Sequence, residues 1–243
     1  MLNLIFIIML NLKSLRKIEY EAYRVCQLKI LSLIEAPERA NNLKLLDIGC
    51  GNGNFSLECA KKCNAKEIYG LEIDKKAIKK AKRKGIKVYK SDVNKKFPFK
   101  GNFFDVVIAN QIVEHLLNPD NLFEEIYRTL KPSGYAIIST PNLCSLHNRI
   151  FVLLGWQITN IAPSTKLVFG NPNRGAPSNM YGPHRHLTVF SPSALKEMCE
   201  FYGLSVEKIY GAGFHPFKSS LSKLLSQIFP KLSVFLIAKV RKL

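Results

Sequence analysis

The tract from Leu45 to Phe55 reads Leu-Leu-Asp-Ile-Gly-Cys-Gly-Asn-Gly-Asn-Phe, and it constrains the fold of this 243-residue chain more than any other segment. Leu45, Leu46 and Ile48 make a short apolar run broken by a single acid, the pattern of a parallel strand covered on both faces. Gly49, Gly51 and Gly53 follow at alternate positions, where the missing Cβ permits backbone conformations and close approaches denied to other residues. Beyond the loop, Phe55, Cys59, Ala60 and Cys63 recur at helical spacing. A strand, a glycine turn and a helix in that order present free N–H groups, against which a carboxylate or phosphate sits well.

Two ligand classes suit such a unit. A dinucleotide site needs Gly-x-Gly-x-x-Gly, but counting from Gly49 puts Asn54 in the third glycine's place, and counting from Gly51 puts Ser56 there. That spacing weakens the case for a nicotinamide dehydrogenase. Asp47 followed by Gly-x-Gly-x-Gly instead resembles the first motif of the class I S-adenosylmethionine-dependent methyltransferases. The resemblance implies that the loop lies against the methionine part of the cofactor.

Later tracts extend the resemblance over roughly residues 43–142. In Ile68-Tyr-Gly-Leu-Glu-Ile-Asp, Glu72 lies nineteen residues after Gly53, where an acid can accept hydrogen bonds from ribose hydroxyls. Asp74 reads as a helix cap. Ser91-Asp92-Val93 falls where the family places an acid near the adenine amino group. The tracts Phe103 to Leu116 and Leu130 to Asn142 are similar to the family's fourth and fifth strands. The resemblance therefore implies S-adenosylmethionine as cofactor, S-adenosylhomocysteine as product, and a binding set of Asp47, Gly49, Gly51, Gly53, Glu72, Ile73, Asp92, Val93 and Asn110. Within the family, the likeness is to the small-molecule group that includes quinone-biosynthesis enzymes.

The periodicity predicts strands at 44–48, 67–72, 86–90, 104–109 and 134–140, with helices at 54–63, 75–84 and 120–130. A leading helix runs from Ser14 to about Ala36 and stops at Pro37. Ser191 caps a later helix that runs to Tyr202, and Leu204 to Tyr210 and Leu232 to Val240 read as the last two strands. The alternation predicts an α/β fold with a doubly wound, mostly parallel sheet. The resemblance adds a count of seven strands and an antiparallel last strand. One domain spans 1–243, with a helical extension at 1–40, a lid insertion at about 142–190 and a hydrophobic-basic insertion at about 211–230.

A hydrophobic content of 47% with 22% charged residues excludes a disordered chain. The six cysteines form no Cys-x-x-Cys pair and read as reduced core residues of a soluble cytoplasmic protein. Met1 to Leu12 is apolar but lacks a preceding basic region and a cleavage site, and spanning a bilayer takes about 20 apolar residues. It reads as an extension, or as the result of a start assigned ahead of Met9.

The net charge is +18, and fifteen Lys or Arg stand against four acids between Lys61 and Lys100. Lys75, Lys76, Lys79, Lys80, Lys82, Arg83 and Lys84 leave Ala77, Ile78 and Ala81 as the buried stripe of a helix, so a solvated face explains them. Attraction of a nucleic acid, a phosphorylated small molecule or an acidic membrane surface is the alternative. Leu221, Leu224, Leu225 and Ile228 share one helical face, and six basic residues without an acid occupy Lys218 to Leu243. Core packing or a dimer contact is the preferred reading of those leucines; an interfacial helix is the other.

Methyl transfer to an O, N or C nucleophile needs in-line placement and, for an O–H or N–H group, a base. His115, at the mouth of the fourth strand, is the first candidate base, with a loop hydrogen bond as its structural alternative. His184 and His186, in Tyr181-Gly-Pro-His-Arg-His, are the next candidates, with Arg185 suited to an anionic acceptor group and Trp156 to stacking. Some quinone-pathway methyltransferases carry a Glu-x-x-Glu-His metal motif where this chain has Gln111, Glu114 and His115. An amide is a poor substitute for a carboxylate ligand, so no metal is expected. The acceptor is expected to be a small molecule; an RNA methyltransferase and a non-catalytic cofactor-binding module are the rivals.

Overall fold

The computed structural model describes residues 12–36, 42–158, 160–164, 166–170, 186–217 and 219–243. The described residues begin with helix α1 (Leu12–Leu33), then alternate β1 (Lys44–Ile48), α2 (Asn54–Cys63), β2 (Glu67–Glu72), α3 (Lys75–Lys82), β3 (Lys87–Lys90) and β4 (Phe104–Asn110). A 3₁₀ turn (Val113–His115) leads to α4 (Pro119–Thr129), β5 (Leu130–Pro141) and α5 (Leu146–Leu153). After the segment that includes residues 171–185 come α6 (Pro192–Phe201), β6 (Leu204–Ala212), α7 (Ser219–Ile228) and β7 (Phe235–Lys242).

The seven strands lie in the order β3-β2-β1-β4-β5-β7-β6, and β7 runs antiparallel to both its neighbours. The expected seven-stranded, mostly parallel sheet with an antiparallel last strand is therefore present. Strands β1 and β4 start the two halves that wind in opposite directions, and their C-terminal ends form the crevice where such sheets bind ligands.

Alternation along the strands sorts the core into two layers. Leu46, Ile48, Val107, Ala109, Ala136 and Ile138 face Leu122, Phe123 and Ile126 of α4 and Leu195 and Cys199 of α6. Leu45, Val106, Ile108, Tyr135 and Ile137 face Cys26 and Ile30 of α1 and Cys59 and Cys63 of α2. All these side chains are buried, so the strands read as continuous apolar runs rather than alternating ones. Tyr135 ties α1 to the sheet, its hydroxyl donating to the Glu35 carbonyl at 2.8 Å and accepting from the Glu35 N–H at 3.1 Å.

Two elements depart from expectation. Within 142–190 the structure forms α5, which begins after Ser145 and was not anticipated as a helix. Helix α7 turns its leucines away from the core, as a dimer contact or an interfacial helix requires and core packing does not. Ser222 and Ser226 are buried, while Leu221, Leu224 and Ile228 are about half exposed. The Ser222 hydroxyl accepts the Phe214 N–H at 2.7 Å, which supplies the polar contact that holds the serine face inward. No helix of the described residues is long and apolar enough to cross a membrane.

Candidate active site

At the end of β1 the chain turns through Gly49, Gly51 and Gly53, all with positive φ. The N–H groups of Gly49 and Cys50 donate to the Leu71 carbonyl of β2 at 2.9 and 3.1 Å, fixing the turn against the neighbouring strand. Two of the glycines are needed for different reasons. A Cβ on Gly53 would lie 2.4 Å from Ile86 Cδ1, so this glycine lets α2 start against α3 and the β3 approach. A Cβ on Gly51 would meet nothing within 4 Å; its bare backbone faces open space.

That space is a cavity of about 470 Å³ lined by Asp47, Gly49, Cys50, Gly51, Asn52 and Asn110, with Tyr23, Arg24 and Gln27 of α1 opposite and Asn54, Phe55 and Glu58 of α2 at the side. Asp47 is buried and accepts a hydrogen bond from the Ser56 hydroxyl. Burial pushes its carboxyl up to about 7, and the Glu72 carboxylate adds to the shift. Asn110 accepts from Ser139 Oγ at 2.7 Å and donates to Tyr23 Oη at 3.4 Å, which links β4, β5 and α1.

Glu72 braces the glycine turn. Its Oε2 accepts the Gly51 N–H at 2.9 Å, and its Oε1 accepts the N–H groups of Ile73 and Asp74 at 2.7 and 2.9 Å. It does not line the cavity; neither do Gly53, Ile73, Asp92 and Val93. Ile73 is largely exposed, Val93 is buried in the core, and Asp92 accepts from the backbone and side chain of Asn94 at 3.0 and 2.8 Å. The structure therefore gathers Asp47, Gly49, Gly51 and Asn110 at one cavity. The α1 wall of Tyr23, Arg24 and Gln27 is not among the residues that the sequence singles out. Nothing local marks them, since polar residues such as Glu19, Glu21 and Lys29 also interrupt the helix.

A second cluster lies after β4. Glu114 is buried, and its carboxylate oxygens have no hydrogen-bond partner among the described residues; burial raises its pKa to about 8. His115 Nε2 lies 3.9 Å from Glu114 Oε1. The rings of His115 and His186 have centroids 4.9 Å apart. His186 Nδ1 lies 2.9 Å from the Asn160 carbonyl, which can only accept, so Nδ1 carries the proton and the neutral ring keeps its lone pair on Nε2. Burial, helped by His115, lowers His186 to about 4. The Glu114 carbonyl accepts the N–H groups of Leu187 and Thr188 at 2.7 and 3.2 Å, which brings the end of the 142–190 insertion onto this cluster. Glu114, His115 and His186 each offer a donor atom within 4.8 Å of the others, a three-donor set where the sequence showed only two adjacent members. His184, Tyr181 and Arg185 lie outside the described residues. Trp156 packs edge-on against Phe151, with ring centroids 5.5 Å apart.

Comparison with known proteins gives the arrangement its relatives. The profile of the family described as a methyltransferase domain matches residues 18–209. The chain is similar to the mitochondrial ubiquinone biosynthesis O-methyltransferase of Mus musculus, 27% identical over 188 residues that make up 73% of this chain and 45% of that protein. It is also similar to the ubiquinone biosynthesis O-methyltransferase of Nitrosospira multiformis, 26% identical over 193 residues, 76% of this chain and 72% of that one. The chain thus spans about half the length of the first of these relatives. In fold it is similar to an S-adenosylmethionine-dependent methyltransferase of Archaeoglobus fulgidus, with a TM-score of 0.54 and 23% identity, covering 90% of this chain and 94% of the other. With the profile extending from α1 into β6, the chain belongs to the methyltransferase domain family, in its class I S-adenosylmethionine-dependent form.

Proposed function

We propose that the chain transfers a methyl group from S-adenosylmethionine to a small-molecule acceptor, with the glycine-turn cavity holding the cofactor. The observation that carries this reading is the bare backbone at Gly51, which opens on the cavity and is braced from behind by Glu72. The residues present fit the group. A backbone without Cβ admits the chain of the methionine moiety, Arg24 offers a cation for its carboxylate, and Asn110 and Tyr23 offer hydrogen-bonding side chains. Glu72 remains the ribose candidate, since each carboxylate oxygen has more than one acceptor position. Asp92, Val93 and Ile73 are proposed for the adenine end, alongside Gly49 and Gly53 as turn formers and Asp47 as the acid under the loop.

The bound cofactor supplies the electrophilic methyl group. The chain's own work is placement and proton handling. His115 is proposed as the group that accepts the acceptor's proton, with the Glu114 carboxyl 3.9 Å from its Nε2 and His186 held neutral beside it. The names of the relatives favour a hydroxyl as the nucleophile. His115→Gln is expected to lower kcat by about 10²-fold or more while leaving the cofactor Kd unchanged. Calorimetric titration with S-adenosylmethionine and S-adenosylhomocysteine tests the cofactor assignment; no binding at millimolar cofactor removes it. Mass spectrometry of extract fractions incubated with labelled cofactor identifies the acceptor.

The three converging donor atoms favour a second reading of the Glu114 cluster, as a divalent-cation site of one carboxylate and two imidazoles. Gln111 in place of a carboxylate argues for the metal-free form proposed from the sequence. Activity that survives exhaustive chelation supports the metal-free base. Activity lost on chelation and restored by one cation supports the other.

A further inference from the structure

A surface at the β6 edge of the sheet is built unlike the rest of the molecule. Helix α7 turns its serines inward, and Phe217, Leu221, Leu224, Ile228 and Phe229 are each between 38% and 56% exposed. An ordinary surface helix does the reverse. Beside this ridge, Lys29 of α1 and Lys208 of β6 place their ammonium groups 4.6 and 5.3 Å from the centre of the Tyr210 ring. Lys223, on α7 itself, is the third member: burial first, then repulsion from Lys208 and Lys223, lowers the pKa of Lys29. No ion pair of the described residues includes any of these three lysines. Lys231, also exposed, follows the ridge.

We infer that α7 and the Lys29, Lys208 and Lys223 cluster form a docking surface for an anionic phospholipid bilayer. Neither feature suffices alone. The apolar ridge is one helix long and the charge is local, but stable membrane attachment needs two such signals acting together, and here they are side by side. The lysines are drawn together against their mutual repulsion, and a layer of phosphate headgroups is the partner that relieves it while the leucines enter the acyl boundary. A soluble acidic protein would answer the charge but leaves five apolar side chains without a reason to face outward. A self-associated dimer would cover the leucines while bringing two lysine clusters close together.

The test is flotation of the full chain with vesicles of phosphatidylglycerol and phosphatidylcholine, against phosphatidylcholine alone. Binding is expected to the anionic vesicles only, weakening in 0.5 M salt. The surface variant Leu221→Ser/Leu224→Ser/Ile228→Ser and the charge variant Lys208→Glu/Lys223→Glu are each expected to lose about tenfold or more in partitioning. The control is Lys76→Glu/Lys79→Glu/Lys80→Glu on α3, exposed at the opposite, β3 edge of the sheet; it is expected to retain most of the binding. Absence of binding by the wild-type chain overturns the inference. Equal loss by the α3 control also overturns it, since it makes the effect one of overall charge. So does a wild-type dimer in sedimentation that the serine variant converts to monomer. Cofactor affinity, measured in the same preparations, is expected to be unchanged, so the result stands or falls separately from methyl transfer.

Discussion

Gly51 and Gly53, two residues apart in one turn but in different surroundings, separate stability from binding at the residue scale. Gly53 has φ +80, and a Cβ there meets Ile86 at 2.4 Å. Gly53→Ala is expected to cost about 2 kcal/mol from left-handed strain and displacement of Ile86, lowering Tm by roughly 4–8 °C for a chain of this size. Gly51 has φ +53 but open space before it. Gly51→Ala is expected to cost only about 1 kcal/mol in stability and to weaken cofactor binding about tenfold or more, because the new methyl enters the cavity. Calorimetry and thermal melting on the two variants check the separation. Glu72 acts through the same turn: Glu72→Gln can replace only one of its two accepting oxygens, leaving either Gly51 N–H or the Ile73 and Asp74 pair poorly met. A loss of about 1–3 kcal/mol in melting experiments, together with weaker cofactor binding, is expected.

At the scale of elements, what could be read from the sequence divides by whether local pattern or tertiary placement decides. The strand bounds at β1 and β2 and helix α2 follow directly from apolar runs and glycine stops, because those elements are buried by the sheet itself. Asp47, Gly49, Gly51 and Asn110 were also legible, since each lies at the end of a recognisable strand. Tyr23, Arg24 and Gln27 were not, because only the docking of α1 against the sheet carries them across the sequence to the cavity. The inversion of α7 was hidden for a related reason: its period of leucines is equally consistent with facing in, and the deciding contact is the Phe214 N–H on Ser222. The Arg24 to Glu58 pair, 3.5 Å apart and well exposed on both sides, contributes at most about 1 kcal/mol to stability. Arg24→Ala is therefore expected to leave Tm within about 2 °C of wild type while weakening cofactor binding several-fold, a split that titration and melting resolve.

At the scale of the whole molecule, buried ionisable groups of opposite sense set the pH dependence of folding. Asp47 is raised to about 7 and Glu114 to about 8, both chiefly by burial. The unfolded chain ionises these acids from about pH 4, whereas the folded chain does so only near neutrality. They therefore favour the folded state most at acid pH, and that stability is lost as pH rises through their folded values. His215 and His186 are lowered to about 4 by burial, and His147, whose ring centroid lies 4.8 Å from that of His215, is lowered as well. Here the unfolded chain takes up protons that the folded chain refuses, so stability present above about pH 6.5 is lost as pH falls toward 4. Between about pH 4.5 and 6.5 the two acids offset two of the three histidines, and the wild-type Tm is expected to fall on acidification with about the slope of one group. Substitution unmasks each slope. Asp47→Asn, which keeps an acceptor for Ser56, should make the chain lose stability more steeply on acidification. His215→Gln should flatten the profile over the same interval. Melting curves of the ligand-free proteins at half-unit pH steps measure both slopes. A variant profile parallel to wild type shows that the substituted group titrates alike in the folded and unfolded chain, which its burial at the cavity floor or beside His147 does not allow.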